Sequence, residues 1–377
     1  MRILFLNSEA ELYNNGGDKI LLLTVEALAA EHEVEVLLPL DGPLVAAIRG
    51  LDVPCEVVPY AIMRRRTLNP LVALTFFVQL VLSTFRIWRY VRKHHIDVVY
   101  SNSLGVLQGC LMRLVGGPTN IWHIHDMIDS PRVVNRVYSW LVAHGADIGI
   151  CVSGAVRDHM ATGRDNLRVV WNGIPPIVAA PVFARQTDPP TIGVIGRFNR
   201  LKGQAEMVKA AALLRDAGAD FQVRMVGGTY SGDDSVLRHA EGLIAELDLG
   251  DLVSVEGAVT EVGAVYRQCD LVVVPSILID PFPTVALEAM SAGKPVVAYA
   301  SGGLPEMLDH DSQCVAPRGD PGALAGLIRP FLEDEEFRLA KARHQHDRYL
   351  EHFTLADYRE RIRQVVRSEV LTSGRSR

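Results

Sequence analysis

The feature that most constrains this chain is a rhythm that runs through it twice. Strand-length runs that are apolar almost throughout alternate with helix-length amphipathic runs. The first pass reads RILFLN, VEVLL, CEVVP, DVVYS, NIWHIH and DIGICVS, with helical patterns such as DKILLLTVEALAAE between them. A strand with one wet face alternates polar and apolar residues, whereas a continuous apolar run belongs to a parallel strand covered on both faces. Parallel neighbours also need a crossover of a dozen residues or more, which the helical runs supply. A proline-rich stretch, Gly173 to Pro190, suits neither helix nor central strand and reads as a linker. The rhythm then restarts with TIGVIG, FQVRMVG, LVSVEG, DLVVVPS, PVVAYA and QCVAP. The expected fold class is α/β, with two doubly wound domains facing a cleft. Their bounds are read as residues 1–180 and 181–354, followed by an arginine-rich C-terminal helix, 355–377, placed to pack back on the first domain.

The totals agree with two filled cores and exclude some functions. The chain has 377 residues, too many for one ordinary core, and 49% of them are hydrophobic. A net charge of −6 with mixed signs argues against a nucleic-acid binder, which would show a basic face. Cys55, Cys110, Cys151, Cys269 and Cys314 are scattered without a C-x-x-C, so they read as buried thiols in a reducing compartment. The opening MRILFLNSEA is a strand, not a signal peptide. Asn69 to Val91 nearly reaches membrane-spanning length, but Gln79, Ser83, Thr84, Arg86 and Arg89 interrupt it. It is expected to be a core helix with one greasy face. An interfacial helix is the other reading, because Arg64, Arg65 and Arg66 precede it and Arg86, Arg89, Arg92 and Lys93 close it.

Doubly wound sheets bind ligands outside the carboxyl ends of their strands, so the residues after the strands matter most. DLVVVPS is followed by ILIDPFPTVALEAMSAG, in which Pro283 suits a first helical turn and Gly293 a stop. Backbone N–H groups around Pro283, Thr284 and Val285 would make an anion site. Glu288 lies about 7–8 Å further along the axis, roughly the span from a diphosphate to the hydroxyls of its ribose. Asp280, ahead of the helix, would face the other end of such a ligand. The competing reading makes Asp280 a helix cap and Glu288 a surface charge. VIGRFNRLKG places Gly196-Arg197 straight after a strand and Lys202 at the next helix, two cations able to neutralise a diphosphate. In the first half Gly16-Gly17 open a helix, which lets backbone N–H groups approach a phosphate. They are not a G-x-G-x-x-G fingerprint, so a dinucleotide cofactor is not expected. NIWHIHD ends a strand with His123, His125 and Asp126, too few ligands at one strand end for a metal shell, and His125 would contact a sugar hydroxyl.

With these residues in place the chain resembles the retaining glycosyltransferases of family 4, which have the GT-B fold of two Rossmann-like domains. The resemblance covers nearly the whole chain. The family's Glu, seven residues, Glu motif matches Asp280 to Glu288, with Asp280 in place of the first Glu. The family's Gly-Arg and Lys-Gly pairs match Gly196-Arg197 and Lys202-Gly203. Its Gly-Gly loop matches Gly16-Gly17, its strand-end His matches His125, and its Gly-Gly-x-x-Glu turn matches Gly302 to Glu306. The resemblance implies a nucleotide-diphosphate sugar as co-substrate, a UDP-sugar ahead of a GDP-sugar, with no cofactor and no metal. It implies hexosyl transfer with retention to a glycan, lipid-linked or small-molecule acceptor, as in polysaccharide biosynthesis. Catalytic roles fall to His125, Asp280, Arg197 and Lys202. Nucleotide-sugar contacts fall to Gly16, Gly17, Gly196, Arg197, Lys202, Asp280, Phe282, Pro283, Thr284, Val285 and Glu288. The protein is expected in the cytoplasm, peripheral on the inner membrane face. A nucleotide-sugar epimerase of similar fold and an inactive scaffold are the alternatives.

Overall fold

The structure, a computed structural model, describes residues 1–11, 16–64, 67, 69–128, 131–229 and 233–373. The chain divides into two units, Met1–Asn172 with Leu355–Arg377, and Gly173–Thr354. In the first unit β1 (Arg2–Leu6), α1 (Gly16–Ala29), β2 (Glu33–Leu38), α2 (Pro43–Arg49) and β3 (Cys55–Val57) come first. There follow α3 (Pro70–Lys93), β4 (Val98–Asn102), α4 (Gln108–Leu114), β5 (Thr119–Ile124), α5 (Arg132–Gly145), β6 (Ile148–Cys151), α6 (Gly154–Met160) and β7 (Leu167–Val169). The second unit runs β8 (Thr191–Ile195), α7 (Gln204–Asp216), β9 (Gln222–Val226), α8 (Ser235–Glu246), β10 (Val253–Glu256), α9 (Val262–Arg267) and β11 (Leu271–Val274). It continues with α10 (Thr284–Ser291), β12 (Val296–Tyr299), α11 (Leu304–Met307), β13 (Val315–Ala316), α12 (Pro321–Glu333) and α13 (Glu335–His352), and α14 (Leu355–Ser373) returns to the first unit.

Both sheets are parallel, and each reverses its strand order once. The first is ordered β3-β2-β1-β4-β5-β6-β7 and the second β10-β9-β8-β11-β12-β13. Ile3, Leu4, Phe5 and Leu6 of β1 are all fully buried, the two-sided burial that their unbroken apolar run required. In such sheets the crevice opens at the reversal, so the carboxyl ends of β1 and β4, and of β8 and β11, are the places to look for a ligand.

The proline-rich stretch belongs to the second unit, so the division falls after Asn172 and not after residue 180. Its backbone donors are taken up there: Ile177 N bonds Ser291 Oγ at 3.2 Å, Val182 N bonds Ala292 O at 2.9 Å, and Gln186 N bonds Asp270 Oδ1 at 2.7 Å. A segment whose N–H groups are satisfied by one body moves with that body. The C-terminal helix α14 packs on α1, where Tyr358 meets Thr24, Arg363 Nε donates to Ala27 O at 3.0 Å, and Arg359 pairs with Glu26 at 2.6 Å.

Helix α3 departs from the expected core helix. Phe76, Leu80, Ser83, Ile87 and Val91 form its buried stripe. The opposite face is also apolar: Leu74 is 73% exposed, Phe77 65%, Leu82 63% and Phe85 62%. Of the basic cluster before it, Arg65 and Arg66 lie outside the described residues, and Arg64 pairs with Glu9 at 3.1 Å.

Candidate functional site

In the second unit the loops after β8 and β11 lock together at the strand-order reversal. Asn199 Oδ1 accepts from Leu201 N at 3.0 Å and Lys202 N at 3.1 Å, which closes the turn that carries Lys202. Gly203 has φ +68°, and a Cβ there would sit 1.9 Å from the carbonyl oxygen of Pro275. Only glycine lets the turn press that closely on the end of β11. Ile277 N bonds Leu201 O at 3.0 Å, and Gln204 Nε2 bonds Arg197 O at 2.9 Å. Lys202 Nζ thereby comes within 2.7 Å of Asp280 Oδ2, which also accepts from Ser276 Oγ at 3.2 Å. Asp280 is buried, and its backbone is held by Ser301 Oγ and by Gly303 N, each at 3.2 Å. Gly302 makes that contact feasible, since a Cβ on it would lie 1.9 Å from Asp280 O.

Asp280 is therefore a partner of Lys202 and not a helix cap. The residue before α10 is Pro283, without a side-chain cap, and the helix proper begins at Thr284. Proline has no N–H, so the backbone donors expected of Pro283, Thr284 and Val285 reduce to those of Thr284 and Val285. Glu288 is buried within α10 and accepts from Tyr266 Oη at 2.8 Å, so it is no surface charge. Burial, together with the Glu288 carboxylate, pushes the Tyr266 phenol well above its ordinary range, so it stays protonated as the donor. Phe282 turns into the core, its ring 5.7 Å from that of Phe353.

In the first unit the pairing of β1 with β4, Leu6 opposite Ser101, brings Asn7 beside Asn102 at the carboxyl ends. Asn102 Nδ2 donates to Asn7 Oδ1 at 2.9 Å, and Asn7 Nδ2 donates to Asp18 Oδ1 at 2.8 Å. Asp18 is buried in the first turn of α1, where the helix dipole favours a carboxylate, next to Gly16 and Gly17. At the other end His125 Nε2 meets Asn102 Oδ1 at 2.9 Å. His123 and His125 lie two apart along the chain and so share a face, with ring centroids 4.0 Å apart. His123 is occupied by the Tyr100 hydroxyl at 2.9 Å. Burial lowers the His125 imidazole to about 4, so it is neutral near neutral pH. Asp126 is engaged by Ser103 Oγ at 2.9 Å and Leu104 N at 3.2 Å. Among the described residues no group of three or more metal-ligating side chains comes together.

The structure thus brings Arg197, Lys202 and Asp280 to one strand-order reversal, and at the other links Asp18, which follows Gly16-Gly17, through Asn7 and Asn102 to His125. Sequence reading missed Asn7, Asn102, Asp18, Ser276 and Tyr266. Their one available signal was position, since Asn7, Asn102 and Ser276 each stand at or just beyond the end of an apolar strand run.

Fold and site together define a protein of the GT-B class, two parallel α/β units with polar clusters at their strand-order reversals. The matches to known proteins say which members. Residues 14–177 match the model of Glycosyltransferase Family 4, and residues 179–349 match that of Glycosyl transferases group 1. The chain belongs to the family 4 glycosyltransferases. Among relatives, a D-inositol 3-phosphate glycosyltransferase of Pseudarthrobacter chlorophenolicus is 34% identical over 163 residues, 40% of this chain and 38% of that protein. A 2-deoxystreptamine glucosyltransferase of Streptomyces kanamyceticus is 34% identical over 157 residues, 41% of this chain and 39% of its own length. The matched stretch thus spans under two-fifths of each of these relatives. Anabaena HepE, solved in complex with UDP, has a TM-score of 0.80 at 21% identity, over 98% of this chain and all of that one.

Proposed function

We propose that this protein is a retaining hexosyltransferase that moves a sugar from a nucleotide-diphosphate donor, a UDP-sugar ahead of a GDP-sugar. The observation that carries the reading is the cluster at the reversal of the second sheet, Lys202 on Asp280 and Ser276, with buried Glu288 on Tyr266. Arg197 and Lys202 offer charge to a diphosphate and to the charge that develops as it leaves. Glu288 serves the ribose hydroxyls, and Asp280 and His125 serve the sugar. The preference for uridine draws on Anabaena HepE, which was solved with UDP and with UDP-glucose. Front-face displacement fits best, with the leaving phosphate assisting deprotonation of the acceptor and no metal required.

Calorimetry with UDP tests the division of labour. Glu288→Ala is expected to weaken UDP binding about tenfold or more, the loss of roughly one charged hydrogen bond. Asp280→Ala should leave UDP affinity within about twofold of wild type and depress transfer. The reverse pattern removes the assignment. Analysis of the spent donor separates the alternatives, because an epimerase returns an isomerised sugar and a scaffold returns the donor unchanged.

We also propose that the first unit rests on an anionic membrane, where it meets a lipid-linked or growing-glycan acceptor. Helices α3, α4 and α5 pack side by side on one face of the sheet. None of the three contains an aspartate or glutamate, although the chain as a whole carries a net charge of −6. Arg86, Arg89, Arg92 and Lys93 lie on α3, Arg113 on α4, and Arg132 and Arg136 on α5. Helix α5 also presents apolar residues outward, Val133, Val137 and Trp140, which are 63%, 51% and 53% exposed. An apolar stripe with an interfacial tryptophan and a basic margin suits the headgroup boundary of a bilayer. Vesicles rich in phosphatidylglycerol should co-sediment the protein at low salt, and Phe77→Ser with Phe85→Ser should abolish this. Equal binding to neutral vesicles, or none to either kind, overturns the proposal.

A further inference from the structure

The polar chain at the first sheet's strand-order reversal has a direction, and its ends fix that direction without reference to hydrogen positions. Asn7 Nδ2 has two neighbours, the carboxylate of Asp18 at 2.8 Å and the backbone carbonyl of Glu9 at 2.9 Å. Both only accept, so the Asn7 atom facing them must be the amide nitrogen. Its carbonyl oxygen is then turned to Asn102 and must receive a proton from the Asn102 amide, 2.9 Å away. That leaves the Asn102 carbonyl oxygen facing His125 Nε2 at 2.9 Å, and an oxygen there can only accept. Nothing in the chain can be reversed singly. Turning Asn102 sets its amide against Nε2 and its oxygen against the Asn7 oxygen, and turning Asn7 as well sets oxygen against both Asp18 and Glu9. Asn7 is itself pinned, because its backbone N and O both bond the buried Tyr60 hydroxyl.

We propose that Asp18, acting through Asn7 and Asn102, holds His125 as the Nε2–H tautomer, so that the ring offers Nδ1 as a hydrogen-bond acceptor. The ligand group that meets His125 is then a donor, a hydroxyl of the transferred sugar or of the acceptor, and not a phosphate or carbonyl oxygen. Asp18, Asn7 and Asn102 are positioning residues in this scheme. The identity of the hydroxyl rests on the transferase reading, whereas the tautomer does not.

Nitrogen-15 NMR of the imidazoles, with His125 assigned by its loss in His125→Gln, reads the tautomer in the ligand-free protein. The wild type should show a protonated Nε2 and an unprotonated Nδ1. Asn102→Asp keeps an acceptor beside Nε2 and should retain that tautomer, whereas Asn102→Leu should raise the Nδ1–H form. A neutral ring with its proton on Nδ1 and none on Nε2, in the wild type or in Asn102→Asp, overturns the proposal whether or not Asn102→Leu folds; a doubly protonated ring in Asn102→Asp reports only the charge added beside it. If transfer is present, Asn102→Leu should lower kcat about tenfold with donor KM within about twofold, and Asn102→Asp should recover part of the loss. Wild-type Nε2–H with no transfer by any variant would sink the transferase reading and leave the tautomer assignment standing.

Discussion

Alanine at Arg197 and Lys202 together is expected to lower kcat/KM by about 10²–10³, the usual cost of removing preorganised charge from a developing anion. The geometry argues for preorganisation. Lys202 does not wave in solvent: its backbone is closed by Asn199, and its ammonium is held 2.7 Å from Asp280. A charge already oriented costs little to use when the diphosphate arrives, because the ordering was completed on folding. The substitution has a second consequence. It leaves the buried Asp280 carboxylate with Ser276 as its remaining side-chain donor among the bonds described, at a penalty of about 1–3 kcal/mol. Steady-state kinetics and a melting curve on the same preparation separate the two effects. A double variant that turns over donor at the wild-type rate ends the diphosphate assignment, whatever its melting temperature.

Gly203→Ala should badly damage the frame of that site. The residue sits at φ +68°, where a side chain costs about 1–2 kcal/mol before any contact is counted. The new Cβ would also lie 1.9 Å from Pro275 O, a backbone atom at the end of β11 that cannot swing aside. Relieving the clash means parting the Lys202 turn from the β11 loop, and with it the Lys202–Asp280 pair. A loss of about 3 kcal/mol or more is expected, which for a unit of this size lowers its Tm by roughly 6–12 °C. UDP affinity should fall in parallel. Calorimetric unfolding checks this, and a transition within about 2 °C of wild type would show that the contact is not needed.

The fold was largely legible in the chain. Each of the six apolar runs of the second half became a strand, from TIGVIG as β8 to QCVAP as β13, because parallel strands under helices need nothing but apolar residues. The short β7, Leu167–Val169, escaped notice, since three half-buried residues carry no run to read. The proline-rich stretch was misplaced for a related reason. Proline reports what a segment cannot form and is silent on which body will satisfy its remaining N–H groups. Helix α3 showed its apolar content plainly, but a helix greasy on both faces reads alike whether one face or both are covered.

The candidate site divides along the same line. Sequence alone determined the acids and cations that follow strands, Arg197, Lys202, Asp280 and Glu288, because strand ends are local and a charged residue beside an apolar run stands out. Only the tertiary structure decided what Lys202, Asp280 and Glu288 hold. Lys202 and Asp280 are 78 residues apart, Asn7 and Asn102 95, and Tyr266 and Glu288 22. Parallel strand order and register set those distances, and a single sequence encodes neither locally. Asparagines 7 and 102 look like ordinary loop residues until β1 and β4 lie side by side. Their meaning then comes from the carboxylate and carbonyl that fix which way each amide must point.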